Sequence, residues 1–244
     1  MSLLQKCQQF FANDFKHNNL PGHVEITTEE WKTLVREHLT PIIEKELQMK
    51  QIADFVWASE YKSGMRKVVS FFKINNAYAT LKWGWNFEFI PKCSGNKILW
   101  ARTDKSIYTH IYEVSENFYN SDYRNKQKRK AYDKIVMSRY YFNKKSTENG
   151  FAEIVKHHQE ALEYLLPTIQ DYYHSTGSLE AVLDRIDLNL ENKYYSFINP
   201  ELVISKVFIL YRLGLKEKAI FDFENISFRS EEIKNQYYKK LLLL

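Results

Sequence analysis

The polar turn Arg102-Thr103-Asp104-Lys105-Ser106 carries the most suggestive chemistry and is predicted to connect two strands. Arg102 and Lys105 supply cations, and Thr103 and Ser106 supply hydroxyls, a composition that binds anions such as phosphate. The same small residues also suit a polar β-turn in which they satisfy backbone groups and the cations are solvated. The turn is therefore either the binding site of a phosphoryl-ligand enzyme, centred on Arg102 and Lys105, or a solvated connection.

The stretch LKWGWNFEFIP, residues 81–91, alternates large apolar residues with smaller or polar ones. Alternation with a period of two is typical of a strand that buries one face. Five exposed apolar side chains in a row would form a very large apolar patch, so we predict that this row is buried core. A functional role of the strand would then fall to its opposite face, where Lys82 and Glu88 are candidate binding residues and Asn86 lies between them.

A basic run follows further along the chain and is interleaved with tyrosines. Its candidate nucleic-acid-binding residues are Arg124, Lys128, Arg129 and Lys130, within a segment that extends to residue 139. Cations neutralise phosphates and aromatic rings stack on unpaired bases, so single-stranded nucleic acid is an alternative partner. A solvated loop would have the same composition.

Motifs for catalysis and for cofactors are few. The seven glycines form neither a phosphate-binding loop nor a nucleophile elbow, and Cys7 and Cys93 lack metal-ligand spacing. His158 falls on an apolar helical stripe and is predicted to be a core histidine despite its neighbour His157. We expect no metal and no cofactor, and the sequence leans away from an enzyme without excluding one.

The elements that would position these residues follow from the hydrophobic period. Helical periodicity predicts helices at 2–16 and from Thr27 to Leu47, with a capping box of Thr27 and Glu30 and a kink or restart at Thr40-Pro41. A period of two predicts strands at 53–60, 66–74, 77–90, 97–102 and 106–114. After residue 150 the pattern is helical, with a start at Ser178, a stop at Gly214 and further helices at 216–225 and 231–242.

This order predicts an α+β fold, with N-terminal helices, a four- to five-stranded mainly antiparallel meander sheet and a C-terminal helical region. We divide it into an α+β domain at 1–145 and a helical tail at 146–244. The segment 120–146 is predicted to be a solvated connection with an edge strand or helical turn.

The composition of the chain indicates its cellular location and the kinds of partner it could bind. The chain has 244 residues, a formal charge of +5, two cysteines and no long apolar run, so a cytoplasmic protein with reduced thiols and no membrane contact is expected. The charge permits an anionic partner without requiring one.

One set of residues carries a resemblance to known proteins. The order Trp83-Gly84, Phe89-Ile90-Pro91, Trp100, Arg102-Thr103 and Lys105-Ser106 resembles a family of uncharacterised bacterial proteins known only as a domain of unknown function. The resemblance covers about residues 50–115. It implies a shared domain and carries no catalytic residue.

Aromatic strands without a catalytic set favour a non-enzymatic macromolecular binding protein, with a protein as the first candidate partner. An immunity or regulatory role is expected by analogy with accessory proteins that neutralise toxins. Nucleic-acid binding and a phosphoryl-ligand enzyme remain alternatives.

Overall fold

A computed structural model describes residues 24–73, 78–114, 142–143, 145–146, 151–191 and 201–244. The predicted helix at 2–16 lies outside this range. The strands are β1 Val24–Glu25, β2 Lys50–Ala53, β3 Val56–Ala58, β4 Met65–Lys73, β5 Tyr78–Phe87, β6 Pro91–Ser94, β7 Lys97–Trp100, β8 Ile111–Val114, β9 Phe142–Asn143 and β10 Lys145–Ser146. The helices are α1 Thr28–Leu34, α2 Thr40–Leu47, α3 Phe151–Ser175, α4 Leu179–Glu191, α5 Leu202–Arg212, α6 Lys216–Glu224 and α7 Glu231–Leu241. The fold is α+β, as predicted.

The first described helices begin at the predicted capping box. The Thr27 hydroxyl accepts a hydrogen bond from the Glu30 amide at 3.2 Å, and the Glu30 carboxylate accepts one from the Thr27 amide at 2.7 Å. A π-helical turn, Val35–Leu39, separates α1 from α2, which restarts at Thr40 as predicted. Pro41 lacks an amide donor, so the regular helical ladder cannot continue through it.

The main sheet is antiparallel, with the strand order β2-β3-β4-β5-β8 and β9 paired to the end of β5. β4 and β5 form the longest pair, with Met65 opposite Phe87 and Lys73 opposite Ala79. The prediction of one strand at 53–60 is wrong, because β2 and β3 form a hairpin that turns between Ala53 and Val56. The turn consists of Asp54 and Phe55 alone, and no glycine or proline marks it in the sequence.

Two further strand boundaries are corrected. The strand predicted at 77–90 ends at Phe87, and β6 and β7 form a hairpin of their own outside the main sheet. The strand predicted at 106–114 begins only at Ile111. The carbonyl of Ser106, at the start of the predicted strand, accepts a hydrogen bond from the Arg66 side chain instead of from a neighbouring strand, and Arg66 also donates to the carbonyl of Asp104 in the preceding turn. A side chain thus replaces the expected ladder partner.

The aromatic row of β5 is buried, which confirms the prediction of core. Its members Leu81, Trp83, Trp85, Phe87 and Phe89 all lie in the hydrophobic core. Helix α3 packs on this face, where the Trp85 indole donates a hydrogen bond to the Thr176 hydroxyl at 2.8 Å. The opposite face, with Val68, Thr80 and Asn86, is buried as well.

The C-terminal helices follow the predicted boundaries closely. Ser178 and Ser230 accept hydrogen bonds from amides in the first turns of α4 and α7, and Gly214 has a positive φ of 82° after α5. Helices α6 and α7 match the predictions at 216–225 and 231–242 to within a residue. One hydrophobic cluster contains buried residues from the sheet and from each of the described helices α3 to α7.

Candidate binding cleft

A cleft of about 700 Å³ opens at the start of β4, beyond the point where β3 pairs with it. The loop 59–64, the end of α2 and the end of α3 complete its walls. The lining residues are Leu47, Gln48, Lys50, Ile52, Ala58, Ser59, Glu60, Tyr61, Lys62, Met65, Arg66, Lys67, Trp85, Asp104, Tyr173 and Gly177. We name this surface the β4 cleft.

Arg66 holds the predicted turn from the side of the cleft. Only 3% of its surface is exposed, and its guanidinium donates hydrogen bonds to the carbonyl oxygens of Asp104, at 3.0 Å, and Ser106. The guanidinium carbon lies 4.7 Å from the centroid of the Tyr61 ring. The side chain therefore fixes the backbone of the turn through its charge and its planar fork.

The charge of Arg66 is only partly offset by a carboxylate, since Asp104 lies close enough to favour its charged form. It forms no ion pair with any residue that the structure describes, and its Nε is buried without a hydrogen-bond partner. Burial lowers the pKa of the guanidinium, with Tyr61 and Asp104 opposing the shift. A guanidinium remains charged in proteins, so Arg66 places beside the cleft a positive charge that no ion pair among the described residues neutralises.

Lys67 adds a second cation on the other face of the same strand, since successive strand residues point to opposite sides. Its ammonium lies 5.3 Å from the centroid of the Tyr173 ring. Burial and the nearby Lys62 lower the pKa of Lys67, and no described carboxylate pairs with it. The two faces of β4 therefore each present a positive group at the cleft.

The remaining charges of the lining leave a positive excess. Lys50 pairs with Glu60 across 3.7 Å in an exposed ion pair of small energetic weight. The lining thus has four cations, Lys50, Lys62, Arg66 and Lys67, against two carboxylates, Glu60 and Asp104. An anionic group is the ligand that this arrangement favours.

A buried polar network supports the cleft from below. The Tyr61 hydroxyl donates a hydrogen bond to the side-chain oxygen of Asn86. His110 accepts one from the Phe87 amide at 3.0 Å, and its other ring nitrogen donates to the Ile90 carbonyl at 2.8 Å. Burial lowers the pKa of His110 to about 3, against the opposing effect of the Ile90 hydrogen bond. His110 is therefore neutral at physiological pH and serves to hold the strand end.

The residues of the predicted turn lie beside this cleft. Arg102, Thr103 and Lys105 are exposed, and Ser106 is half-buried with its carbonyl bound by Arg66. Asp104 lines the cleft, whereas the Arg102 guanidinium lies 5.0 Å from the centroid of the Trp100 ring. Arg102 and Lys105 are thus not brought together in the β4 cleft.

The other predicted site residues are placed separately. Lys82 is half-buried with its ammonium 4.8 Å from the Tyr112 ring centroid, and burial lowers its pKa. Asn86 belongs to the buried network, and Glu88 is exposed after the end of β5. The nucleic-acid candidates Arg124, Lys128, Arg129 and Lys130 lie outside the described residues.

Sequence reasoning missed the cations of β4. The only local signal is the pair Arg66-Lys67 at the start of an otherwise apolar strand, which also reads as a polar strand end. Asp104, whose carbonyl binds Arg66, and Tyr173, whose ring contacts Lys67, are distant from β4 in sequence.

His158 has the predicted place in the core. Its Nε2 accepts a hydrogen bond from the Trp31 indole at 3.1 Å, and its Nδ1 donates to the Ile154 carbonyl at 2.7 Å. Among the residues that the structure describes, no group of three or more His, Cys, Asp or Glu side chains could hold a metal.

Comparison with known proteins gave no match to a family model, to a curated protein or to a solved structure. None of the described helices combines the length and apolar character needed to span a bilayer.

Proposed function

We propose that this protein is a non-enzymatic binding protein that recognises an acidic segment of a partner protein through the β4 cleft. The observation that carries the proposal is the pair of cations, Arg66 and Lys67, neither of which forms an ion pair with a carboxylate of the described residues. An aspartate or glutamate of a partner would provide the missing countercharge. We further propose an immunity or regulatory role in the bacterial cytoplasm, which rests on analogy with toxin-neutralising accessory proteins.

Three features of the cleft favour a protein partner. Tyrosine, tryptophan and arginine dominate the energetics of protein interfaces, and Tyr61, Trp85 and Arg66 all line the cleft. Ile107, next to the carbonyl that Arg66 binds, is 55% exposed and offers an apolar contact close by. The carboxylates Glu60 and Asp104 would repel a partner segment of uniformly negative charge and so set the register of binding.

The rigidity of the cleft also supports this function. Arg66 is fixed by the turn 102–106, and the network of Tyr61, Asn86 and His110 fixes the floor. A preorganised site loses little conformational entropy when a partner binds.

The test is affinity capture of partners from the source cells, followed by binding measurements with the purified partner. Charge reversal in Lys62→Glu/Lys67→Glu is expected to weaken binding by tenfold or more, on the order of the coupling energies of close charge pairs. Binding of the wild-type protein should also weaken with salt. Lys218→Glu is the matched control, since Lys218 is an exposed lysine of α6 away from the cleft.

Any of three results would refute the proposal. The first is the absence of any partner whose binding responds to the cleft variants, together with no protection against the product of a neighbouring toxin gene. The second is an equal loss of binding in the Lys218→Glu control. A cleft that instead binds only small carboxylates would show saturable binding of those compounds without a captured protein, which also contradicts a protein partner.

The nucleic-acid alternative remains a prediction for Arg124, Lys128, Arg129 and Lys130. It would be tested by neutralising these residues and measuring the salt dependence of single-stranded oligonucleotide binding. The resemblance of residues 50–115 to an uncharacterised bacterial domain likewise remains a proposal.

A further inference from the structure

Two cations from distant parts of the chain meet at one tryptophan. Trp100 ends β7, and its ring centroid lies 5.0 Å from the Arg102 guanidinium carbon and 4.5 Å from the Lys240 ammonium of α7. The two charges are thus at most about 10 Å apart, close to the screening length of about 8 Å in physiological salt. We name these three residues the Trp100 cluster.

The fold holds the two parts of the cluster together. Gln236 of α7 accepts a hydrogen bond from the Ile98 amide at 3.0 Å and donates one to the Asn96 carbonyl at 3.1 Å. These contacts join α7 to the β6–β7 hairpin directly beside Trp100. Lys240 follows Gln236 by one helical turn, so it lies on the same side of α7.

Among the described residues, the cations of the cluster have no countercharge. Neither Arg102 nor Lys240 forms an ion pair with a residue in the described part of the chain. Two carboxylates on nearby elements already have partners, since Glu201 accepts from the Tyr108 hydroxyl and Glu232 from Gln236. Burial, with Arg102 as the second cause, lowers the pKa of Lys240. A bound anion would relieve the repulsion between the two cations.

We propose that the Trp100 cluster binds a phosphoryl group. Arginine matches two phosphate oxygens with its planar fork, and lysine acts as a compact point charge. A phosphate monoester carries a charge of about −1.5 to −2 and three acceptor oxygens, which is enough charge and enough acceptors to pair with two cations. The site is separate from the β4 cleft, and the proposal does not depend on the function of that cleft.

Trp100 provides a direct optical test. It is half-exposed, while the other four tryptophans, Trp31, Trp57, Trp83 and Trp85, are buried. Iodide quenches exposed indole and is itself attracted by cations, so quenching of the intrinsic fluorescence should report on this cluster. Inorganic phosphate, added at constant ionic strength, is expected to reduce the quenching in a saturable way.

Single substitutions locate the effect. Arg102→Gln and Lys240→Gln should each weaken phosphate protection roughly tenfold, as expected for loss of a charge-assisted hydrogen bond. Lys239→Gln removes the same charge from the adjacent exposed position of α7 and should leave protection unchanged. Trp100→Phe should abolish iodide quenching.

Three ligands distinguish the source of the phosphoryl group: inorganic phosphate, a nucleoside 5′-monophosphate and a single-stranded oligonucleotide. A ligand that protects Trp100 from iodide quenching in the wild-type protein, but not in Arg102→Gln or in Lys240→Gln, supports the site. The ligand that does so identifies the source of the phosphoryl group. The proposal is overturned if none of the three protects, if Lys239→Gln loses protection equally, or if Trp100→Phe retains the quenching.

Discussion

The indole nitrogen of Trp31 donates a hydrogen bond to Nε2 of His158 at 3.1 Å, across 127 positions of sequence. His158 donates its Nδ1 proton to the Ile154 carbonyl, so its ring must be the neutral tautomer with a lone pair on Nε2. Protonation of Nε2 would place its N–H against the indole N–H of Trp31, so that two donors would face each other in the core. Burial lowers the pKa of His158 to about 4, with the Ile154 hydrogen bond opposing and His157 adding to the shift.

We predict that this histidine makes the protein less stable in mild acid. The folded state binds fewer protons than the unfolded state between about pH 6.5 and pH 4, so the free energy of unfolding falls as the pH drops through this window. The pKa of His158 accounts for about 3 kcal/mol over the full window, at about 1.4 kcal/mol per pKa unit. Urea unfolding at pH 7.5, 6 and 5 measures the effect.

A variant isolates the contribution of His158 from that of the buried His110. His158→Leu should reduce stability at pH 7.5 by about 1–3 kcal/mol, because the buried Trp31 N–H loses its acceptor. It should also flatten the pH dependence without abolishing it, since His110 titrates in the same direction. An unchanged pH slope would contradict the assignment.

Gly84 permits the close approach of β8 to β5. A Cβ at this position would lie 1.9 Å from the Ile111 carbonyl oxygen and 2.6 Å from the Tyr112 Cα, both backbone atoms. Gly84→Ala should therefore separate the strands and destabilise the protein by more than about 3 kcal/mol, as severe overpacking does. Chemical denaturation measures the loss.

The control for this substitution is Gly177→Ala. A Cβ on Gly177 would meet its nearest atoms at an ordinary 3.6 Å. Its effect should stay within about 0.5 kcal/mol, or stabilise slightly by restricting the unfolded chain. Similar losses in the two variants would show that the backbone contact at Gly84 is not the cause.

Local signals explain the parts of the fold that could be predicted. The Thr27–Glu30 box, the stop at Gly214 and the buried row of β5 depend on residues close together in sequence. Alternation alone does not specify a strand's partner, so the separate β6–β7 hairpin and the turn between β2 and β3 were missed.

The candidate sites are predictable only in part for the same reason. The composition of the turn 102–106 marks it as a candidate, but the contact that holds its backbone comes from Arg66, which lies in another strand. Arg102 was a candidate, yet its cationic neighbour Lys240 is at the far end of the chain. Such pairings depend on tertiary contacts that a local pattern does not encode.

Arg66 is predicted to keep the turn 102–106 ordered. In Arg66→Lys the positive charge remains, but one ammonium cannot reproduce the fork that binds the carbonyls of Asp104 and Ser106. Amide hydrogen exchange of residues 103–107 should accelerate by tenfold or more, which corresponds to about 1.4 kcal/mol of lost local protection. Exchange in α5 serves as the internal reference, and an unchanged rate in the turn would refute this role.

Two adjacent tyrosines of α3 offer a matched pair for the last prediction. The Tyr173 hydroxyl donates a hydrogen bond to the Val68 carbonyl at 2.8 Å and accepts one from the Gly84 amide at 3.1 Å. The Tyr172 hydroxyl is also buried but has no hydrogen-bond partner among the described residues. The same deletion of one oxygen atom should therefore have opposite consequences at the two positions.

Tyr173→Phe should destabilise the protein by about 1–3 kcal/mol, because it removes the partner of buried backbone groups in β4 and β5. Tyr172→Phe should be neutral or stabilise by about 1 kcal/mol, because it removes a polar group that is desolvated without compensation. Denaturant midpoints of the two single variants, compared at an unchanged slope, give the difference directly. Equal losses would mean that the Tyr173 hydroxyl does not join α3 to the centre of the sheet.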